Sequence, residues 1–334
     1  MTAARKALTR DDLAPLARAA LGPGRALTTV TRIRGGSKKG VYRLAFDDDS
    51  TAVAYVWSPD EDLWDAGPGD PRDPFSHASG LDLFTAAHDR LSEAGVRTPR
   101  LRHVDPTHTR LPADAAIVED LPGGTLEDLL DRDPHAAPEA LERMAALLDT
   151  LHARTGPRFG KVALVDNGGS SYGGSCEEVV VGRALHDLDE LTAREPRVAE
   201  AHAELTEAVG SLAARVRPRP DPPVLIHGEL GGDHVLVTSD GTLALIDIEG
   251  LMYFDAEWEH VFLRLRFGTH YEALRPRTPD LDAHRLRLYG LAMHLSLVAG
   301  PLRLLDVGDF HDPAFMRGIA EHNLQQALTI ARRT

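Results

Sequence analysis

Hydrophobic positions follow two rhythms in this chain, and the change falls near residues 121–124. Early on, apolar and β-branched residues come in short runs. Thr28 to Ile33 is rich in β-branched residues, and Tyr42, Leu44 and Phe46 alternate with other residues. Thr51 to Trp57 is a third such run, after the turn Asp47-Asp48-Asp49-Ser50. These predict strands, with the glycine-rich RGGSKKG (34–40) as the turn between the first two. Residues 11–21 predict a preceding helix with Asp11 or Asp12 near its start. Leu81, Phe84, Ala87, His88 and Leu91 recur at helical spacing, and Gly95 is placed to end that helix. Ser58 to Gly80, acidic and rich in Pro and Gly, is long for a connection and reads as a functional flap or a partly mobile segment. Leu101–Val104 and Ala115–Glu119 predict two further strands.

After Leu121-Pro122-Gly123-Gly124 the spacing becomes helical. Thr125 caps a helix with Asp128 three residues on. Amphipathic stretches follow over 139–152, 177–193, 197–216, 256–267, 282–305 and 313–332, with a flexible loop over 168–174. Within this helical part lie three short apolar runs, Val224–Ile226, Val235–Val237 and Leu243–Ile246. Ser239-Asp240-Gly241 between the last two is a hairpin signal. The pattern is α+β: strands first, helices after.

Composition narrows the class. With 334 residues and 43% hydrophobic content, the chain can build one large domain or two lobes. No run of eighteen apolar residues occurs and the N-terminus reads as an amphipathic helix, so neither a membrane span nor a signal peptide is expected. Cys176 is the single cysteine, which excludes an internal disulfide and fits a cytoplasmic protein; nothing near it in sequence supplies a base. A net charge of −14 disfavours nucleic acid as a partner. It suits a cationic small molecule, or is an ordinary solvated acidic surface. Lysine occurs only at 6, 38, 39 and 161, so a phosphate-binding lysine has four candidates.

Ionisable residues gather at the ends of the apolar runs: His227, Glu229, Asp233 and His234 around one loop, Asp247 and Glu249 after the hairpin. His227-Gly228-Glu229, then His234, then Ile246-Asp247-Ile248 resembles the catalytic core of the aminoglycoside phosphotransferase family, small-molecule kinases of the protein-kinase-like fold. That family carries His-Gly-Asp, an Asn five residues later, and an Ile-Asp-Trp-like segment after a hairpin. Val118 to Gly124 is similar to its hinge, Leu148–His152 (LDTLH) to its LAxLH helix, Gly95–Pro99 to the turn after its first-lobe helix, and Asp255 with Glu259 to its Gly-Asp-Pro-x-x-Asp segment.

The resemblance implies a two-lobed kinase-like fold: a small antiparallel-sheet lobe (1–118), a hinge (119–124) and a larger helical lobe (125–334) carrying the catalytic hairpin 224–250. It implies transfer of the γ-phosphoryl group of ATP or GTP to a hydroxyl of an antibiotic-like or sugar-like acceptor, as in antibiotic resistance. Phosphoryl transfer needs positioned reactants and charge stabilisation. Glu229 then orients the hydroxyl, and Asp247 and His234 hold Mg²⁺, or Mn²⁺, which imidazole suits better. Asp233 is placed to share that role. His227 braces the loop. Gly35, Gly36, Ser37, Lys38, Lys39 and Gly40 cover the phosphates, and Glu119 and Leu121 meet the base through backbone groups. Glu249, Asp255 and Glu257, with Glu177 and Glu178, form an acidic cluster able to receive a cationic acceptor, or are helix-start carboxylates. Asp255 and Glu259 also suit bracing of helix starts.

Three positions depart from the family. Glu229 replaces Asp, His234 replaces Asn, and the third strand, Thr51–Trp57, has Tyr55 where a lysine is expected. Either Lys38 or Lys39 supplies that charge from the loop, or nucleotide binding is altered; the carboxylate nearest the expected partner position on the next helix is Asp82. Two other readings stay open: a kinase-fold binding protein without transfer, and a divalent-metal hydrolase built on His227, Glu229, Asp233, His234 and Asp247.

Overall fold

The computed structural model describes residues 7–33, 37–64, 69–275, 281–307 and 312–334. Its elements in chain order are α1 (Arg10–Leu21), β1 (Leu27–Arg32), β2 (Gly40–Phe46), β3 (Thr51–Trp57), α2 (Leu81–Ala94), β4 (Leu101–Asp105), β5 (Asp114–Glu119), α3 (Leu126–Arg132) and α4 (Ala137–His152). Then come β6 (Gly160–Lys161), α5 (Val162–Val165), α6 (Cys176–Thr192), α7 (Pro196–Ala213), β7 (Val224–Ile226), β8 (Val235–Val237), β9 (Leu243–Leu245), β10 (Met252–Phe254), α8 (Ala256–Phe267), α9 (Ala283–Val307) and α10 (Pro313–Ala331). The chain divides into two compact units. One comprises Met1–Gly69, His77–Arg143 and Gly232–Gly250; the other comprises Asp70–Ser76, Met144–Gly231 and Leu251–Thr334.

The first unit is built on a five-stranded antiparallel sheet in the order β1-β2-β3-β5-β4. One face packs on α1: Tyr42, Leu44, Ala52, Ala54, Val56, Ala115 and Ile117 meet Leu13, Leu16 and Ala17. The opposite residues of β3 face α2, where the rings of Tyr55 and Trp57 lie with centroids 5.5 and 5.4 Å from that of Phe84. Burial on both faces explains why β3 is apolar almost throughout rather than alternating. Both predicted helix signals act as capping physics requires. Thr125 and Asp128 form a reciprocal capping box at α3, and Gly95 takes a left-handed backbone after α2.

β8 and β9 form the predicted hairpin about Asp240-Gly241. Val237 N donates to Gly124 O and Leu245 N to Arg97 O, each at 2.9 Å. These bonds tie the hairpin to residues 97 and 124 of the same unit. The described part of the long connection after β3 is tied down as well. Leu63 N donates to Ser37 O at 2.7 Å, and His77 Nε2 lies 2.5 Å from Asp62 Oδ2.

The second unit is mostly helical. Its core joins Val180, Ala184 and Leu188 of α6, Leu205 and Val209 of α7, Trp258 of α8, Leu288, Leu291 and Leu295 of α9 and Leu324 of α10. β7 pairs not with the hairpin but with β10, in a three-stranded sheet β6-β10-β7. β6 and β10, three residues or fewer each, carry too little periodicity to be predicted. α9 is long and apolar enough to cross a bilayer, but 67% of its most apolar window is buried, as expected of a central core helix.

Candidate active site

Asp247 follows β9, and its backbone is unusual: φ is +57°, a left-handed conformation that few residues other than glycine adopt. Asp tolerates it better than most, and such backbone concentrates at functional sites. The 3-10 turn Ile248–Gly250 follows at once and buries Glu249. Lys39 Nζ meets both carboxylates, lying 2.8 Å from Asp247 Oδ1 and 2.6 Å from Glu249 Oε1. Trp57 Nε1 also donates to Glu249 Oε1, at 3.2 Å. The Lys39 ammonium stands 5.3 Å from the centroid of the Tyr55 ring.

Burying charge is costly unless it is paired. Burial opposes the charge on Lys39, yet Asp247 and Glu249 outweigh it and hold the ammonium above its ordinary range. Burial pushes Asp247 up too, but Lys39, then His234 and Lys38, outweigh it and keep the carboxylate ionised well below its usual range. The Tyr55 phenol, pushed up to about 12 chiefly by burial, stays neutral.

His234 ends a 3-10 turn, and Ile246 N donates to its carbonyl at 3.0 Å. Its Nε2 lies 3.8 Å from Asp247 Oδ2 and 3.8 Å from Asp233 Oδ2. Two donors ~2.1 Å from one ion are at most about 4.2 Å apart, so each pair is within reach of a shared Mg²⁺ or Mn²⁺. Among the described residues, no group of three His, Cys, Asp or Glu side chains is arranged to hold an ion. Asp247, His234 and Asp233 could thus supply part of a donor set, the carboxylates suiting Mg²⁺ and the imidazole Mn²⁺ better.

The glycine-rich segment is partly described; Gly35 and Gly36 lie outside the described residues. Ser37 is engaged, its Oγ accepting from Trp64 Nε1 at 3.0 Å, and Lys38 O accepts from Ser79 Oγ at 2.8 Å. Gly40 owes its identity to packing. A Cβ there would lie 2.6 Å from the Glu61 carboxyl carbon and 2.8 Å from the Tyr42 ring. Buried Glu61 in turn accepts hydrogen bonds from Arg32 and Tyr42. At the hinge, Glu119 N already donates to Arg100 O at 2.9 Å, so that N–H is not available to a base. The Glu119 side chain meets Arg100, and Leu121 is half-buried beyond the end of β5.

In the second unit, the loop after β7 presents His227, Gly228 and Glu229. His227 is buried and Glu229 exposed, with buried Gly228 and Leu230 on either side of it. Gly228 has φ +91°, which a residue with a Cβ rarely adopts, and this turn lifts Glu229 out of the protein. Glu259 of α8 holds the loop from beneath: its Oε2 accepts from His227 N at 2.6 Å and Gly228 N at 3.1 Å. Glu259 therefore braces the loop rather than the start of a helix.

Burial pushes the Glu259 carboxyl from 4.5 up to about 7, against the backbone N–H groups that favour its anion. A proton held more tightly in the folded state stabilises the fold fully below pH 4.5. That contribution, of up to about 3 kcal/mol, is lost as pH rises to about 7. Glu259→Gln is expected to flatten this slope in urea denaturation measured across that range; an unchanged slope would refute the assignment.

The acidic cluster corrects the expectation of a displayed cationic-acceptor surface. Glu249, Asp255 and Glu257 are all buried and paired. Asp255 precedes α8 but makes no cap hydrogen bond with its side chain; its Oδ2 lies 2.7 Å from Arg285 Nη1 and accepts from Tyr289 OH. Glu257 accepts from Arg219 Nη1 at 2.8 Å. Glu177 also reaches Arg285, at 2.8 Å. Cys176, beside this network, is buried with its thiol pushed far up by burial, which makes it inert.

An antiparallel five-stranded sheet, a larger helical part and a buried lysine on an ionised aspartate after a β-hairpin define a protein-kinase-like fold. Residues 29–294 match the phosphotransferase enzyme family (APH), and the chain belongs to that family. No curated protein matches the sequence significantly. Among solved structures, it is similar to a thermostable mutant of aminoglycoside phosphotransferase APH(4)-Ia in ternary complex with AMP-PNP and hygromycin B. There the identity is 18%, with 94% of this chain and 98% of that one covered, at a TM-score of 0.62. It is also similar to APH(2")-IIia with GDP and kanamycin (16% identity, 96% and 98% covered, TM-score 0.63). Spectinomycin phosphotransferase APH(9)-Ia with ADP and spectinomycin is a third (12% identity, 96% of each chain, TM-score 0.61).

Proposed function

We propose that the protein is a kinase that transfers the γ-phosphoryl group of ATP or GTP to a hydroxyl of an aminoglycoside-type or sugar-like small molecule. The observation that carries this reading is Asp247, ionised and on left-handed backbone, beside Lys39 and His234. The similar structures contain adenine or guanine nucleotides with hygromycin B, kanamycin or spectinomycin, which supports the donor and acceptor classes.

A divalent metal, when bound, would neutralise charge on the nucleotide's phosphates. Asp247 and His234 would hold it, with Asp233 at hand. Lys38 and Lys39 would neutralise the phosphate oxygens, and the segment around Leu121 would meet the base. Glu229 accepts the hydrogen bond of the acceptor hydroxyl and orients it. As the acceptor oxygen bonds to the γ-phosphorus, the bond from that phosphorus to the β,γ-bridging oxygen breaks. The nucleoside diphosphate leaves with that electron pair, and the hydroxyl proton passes to Glu229 and on to water.

A binding protein without transfer draws its support from the lack of a lysine on β3 and from Glu229 and His234 at two catalytic positions; Lys39 beside Asp247 weighs against the first of these. A hydrolase reading leaves the family match unexplained. The test is nucleotide consumption with Mg²⁺ or Mn²⁺ across a panel of aminoglycosides, macrolides, nucleosides and sugars. Glu229→Ala is expected to lower kcat by about 10²-fold with little change in nucleotide KM. Glu229→Asp shortens the reach by ~1 Å: a higher kcat would mark a drifted kinase centre, and a lower one a site rebuilt around Glu. Wild-type turnover in the Ala variant would sink Glu229's role.

A further inference from the structure

We propose that Lys39 and Glu249 rebuild, from the start of β2 and the turn after Asp247, the lysine–carboxylate pair that kinases make from the third strand and the following helix. Lys39 is then the phosphate-binding lysine and Glu249 the residue that positions it. This rests on the kinase reading above and adds to it which lysine acts and what holds it in place.

Several observations converge. Between β3 and α2, Tyr55 and Trp57 stack on Phe84, while Asp82 is exposed. That contact is aromatic. Lys39 and Glu249 are both buried, 6% and 4% exposed, and lie 2.6 Å apart. Trp57 Nε1 donates to the same Glu249 oxygen, which fixes the carboxylate from β3 itself. In register Gly40 pairs with Val56 and Val41 with Tyr55, so Lys39 enters β2 beside the end of β3. Its ammonium comes within 5.3 Å of the Tyr55 ring, at the residue where the lysine is expected. A lysine moved by one strand therefore delivers its charge to nearly the same place. Glu249 Oε2 has no hydrogen-bond partner among the described residues, so the pair holds an acceptor in reserve when phosphates draw Lys39 away from Asp247.

Binding of ATP and GTP with Mg²⁺ to the full chain, measured by calorimetry, tests this. Lys39→Met is expected to weaken binding by about tenfold or more. Adding Tyr55→Lys to that variant is expected to recover about threefold or more of the loss, since it returns the ammonium to β3. Glu249→Gln is expected to weaken binding in the wild type but to add nothing in the Lys39→Met background, whereas a merely structural glutamate would cost the same in both. Lys39→Gln, which can still hydrogen-bond both carboxylates, carries the same criteria if the Met variant does not fold. Binding by a folded Lys39 variant within about threefold of wild type overturns the proposal, as does a failure of Tyr55→Lys to recover any of the loss. Wild-type protein that binds neither nucleotide overturns the kinase reading along with it. Nucleotide binding that survives Lys39 substitution overturns the relocation alone.

Discussion

Asp247→Asn is expected to abolish phosphoryl transfer, lowering kcat by about 10³-fold or more. The substitution keeps the shape of the side chain and removes its charge. Asn also tolerates left-handed backbone, so φ +57° is kept. Lys39 keeps Glu249 at 2.6 Å, so the buried ammonium retains one anion and the protein remains folded. The loss of one charged hydrogen bond costs about 1–3 kcal/mol of stability, readable in urea denaturation. The catalytic loss reaches much further, because the variant cannot offer a metal an anionic oxygen beside His234. Turnover of the Asn variant near the wild-type rate would overturn the assignment of Asp247, whichever acceptor is used.

The largest stability effect is expected from Arg285→Met. Arg285 is 1% exposed and holds Asp255 at 2.7 Å, Glu177 at 2.8 Å and Arg217 O at 2.8 Å. Burial pushes the Asp255 carboxyl up, and Arg285, Tyr289 and Arg219 counter only part of that. Methionine fills most of the volume but leaves the buried Asp255 carboxylate with Arg219 at 3.4 Å and the Tyr289 hydroxyl alone, which costs up to about 3–5 kcal/mol. Asp255→Asn in the same chain removes the stranded charge and is expected to recover more than half of the loss. Chemical denaturation of the two variants checks this. A loss below about 1 kcal/mol in the single variant would show that the network does not support the fold.

Elements with strong local signals were legible in the sequence. β3 and α2 have their expected ends, and the Thr125–Asp128 capping box forms. The order of strands and helices, and the resemblance it carried, agree with the family match over 29–294. What escaped depends on contacts distant in sequence. β6 and β10 exist only because they pair with one another and with β7, and two or three residues cannot announce that. Glu249 read as part of an acidic surface because it sits among other acids in sequence; Lys39, some two hundred residues earlier, makes it internal. Asp255 read as a helix-start carboxylate, and its partners Arg285 and Tyr289 come from α9. A usable signal was present: Glu249 lies two residues after Asp247 in a chain nearly devoid of lysine, so any buried lysine nearby would need such carboxylates.

The aromatic contact between β3 and α2 has a consequence for control. In protein kinases the pair between the third-strand lysine and the following helix can be broken by moving that helix, and regulation exploits it. Here α2 contributes Phe84 to a stack with Tyr55 and Trp57, and no charge to the pair. The same helix packs on the turn Ile248–Gly250 that carries Glu249, so a movement of α2 would reach the pair through packing and not through a charge of its own.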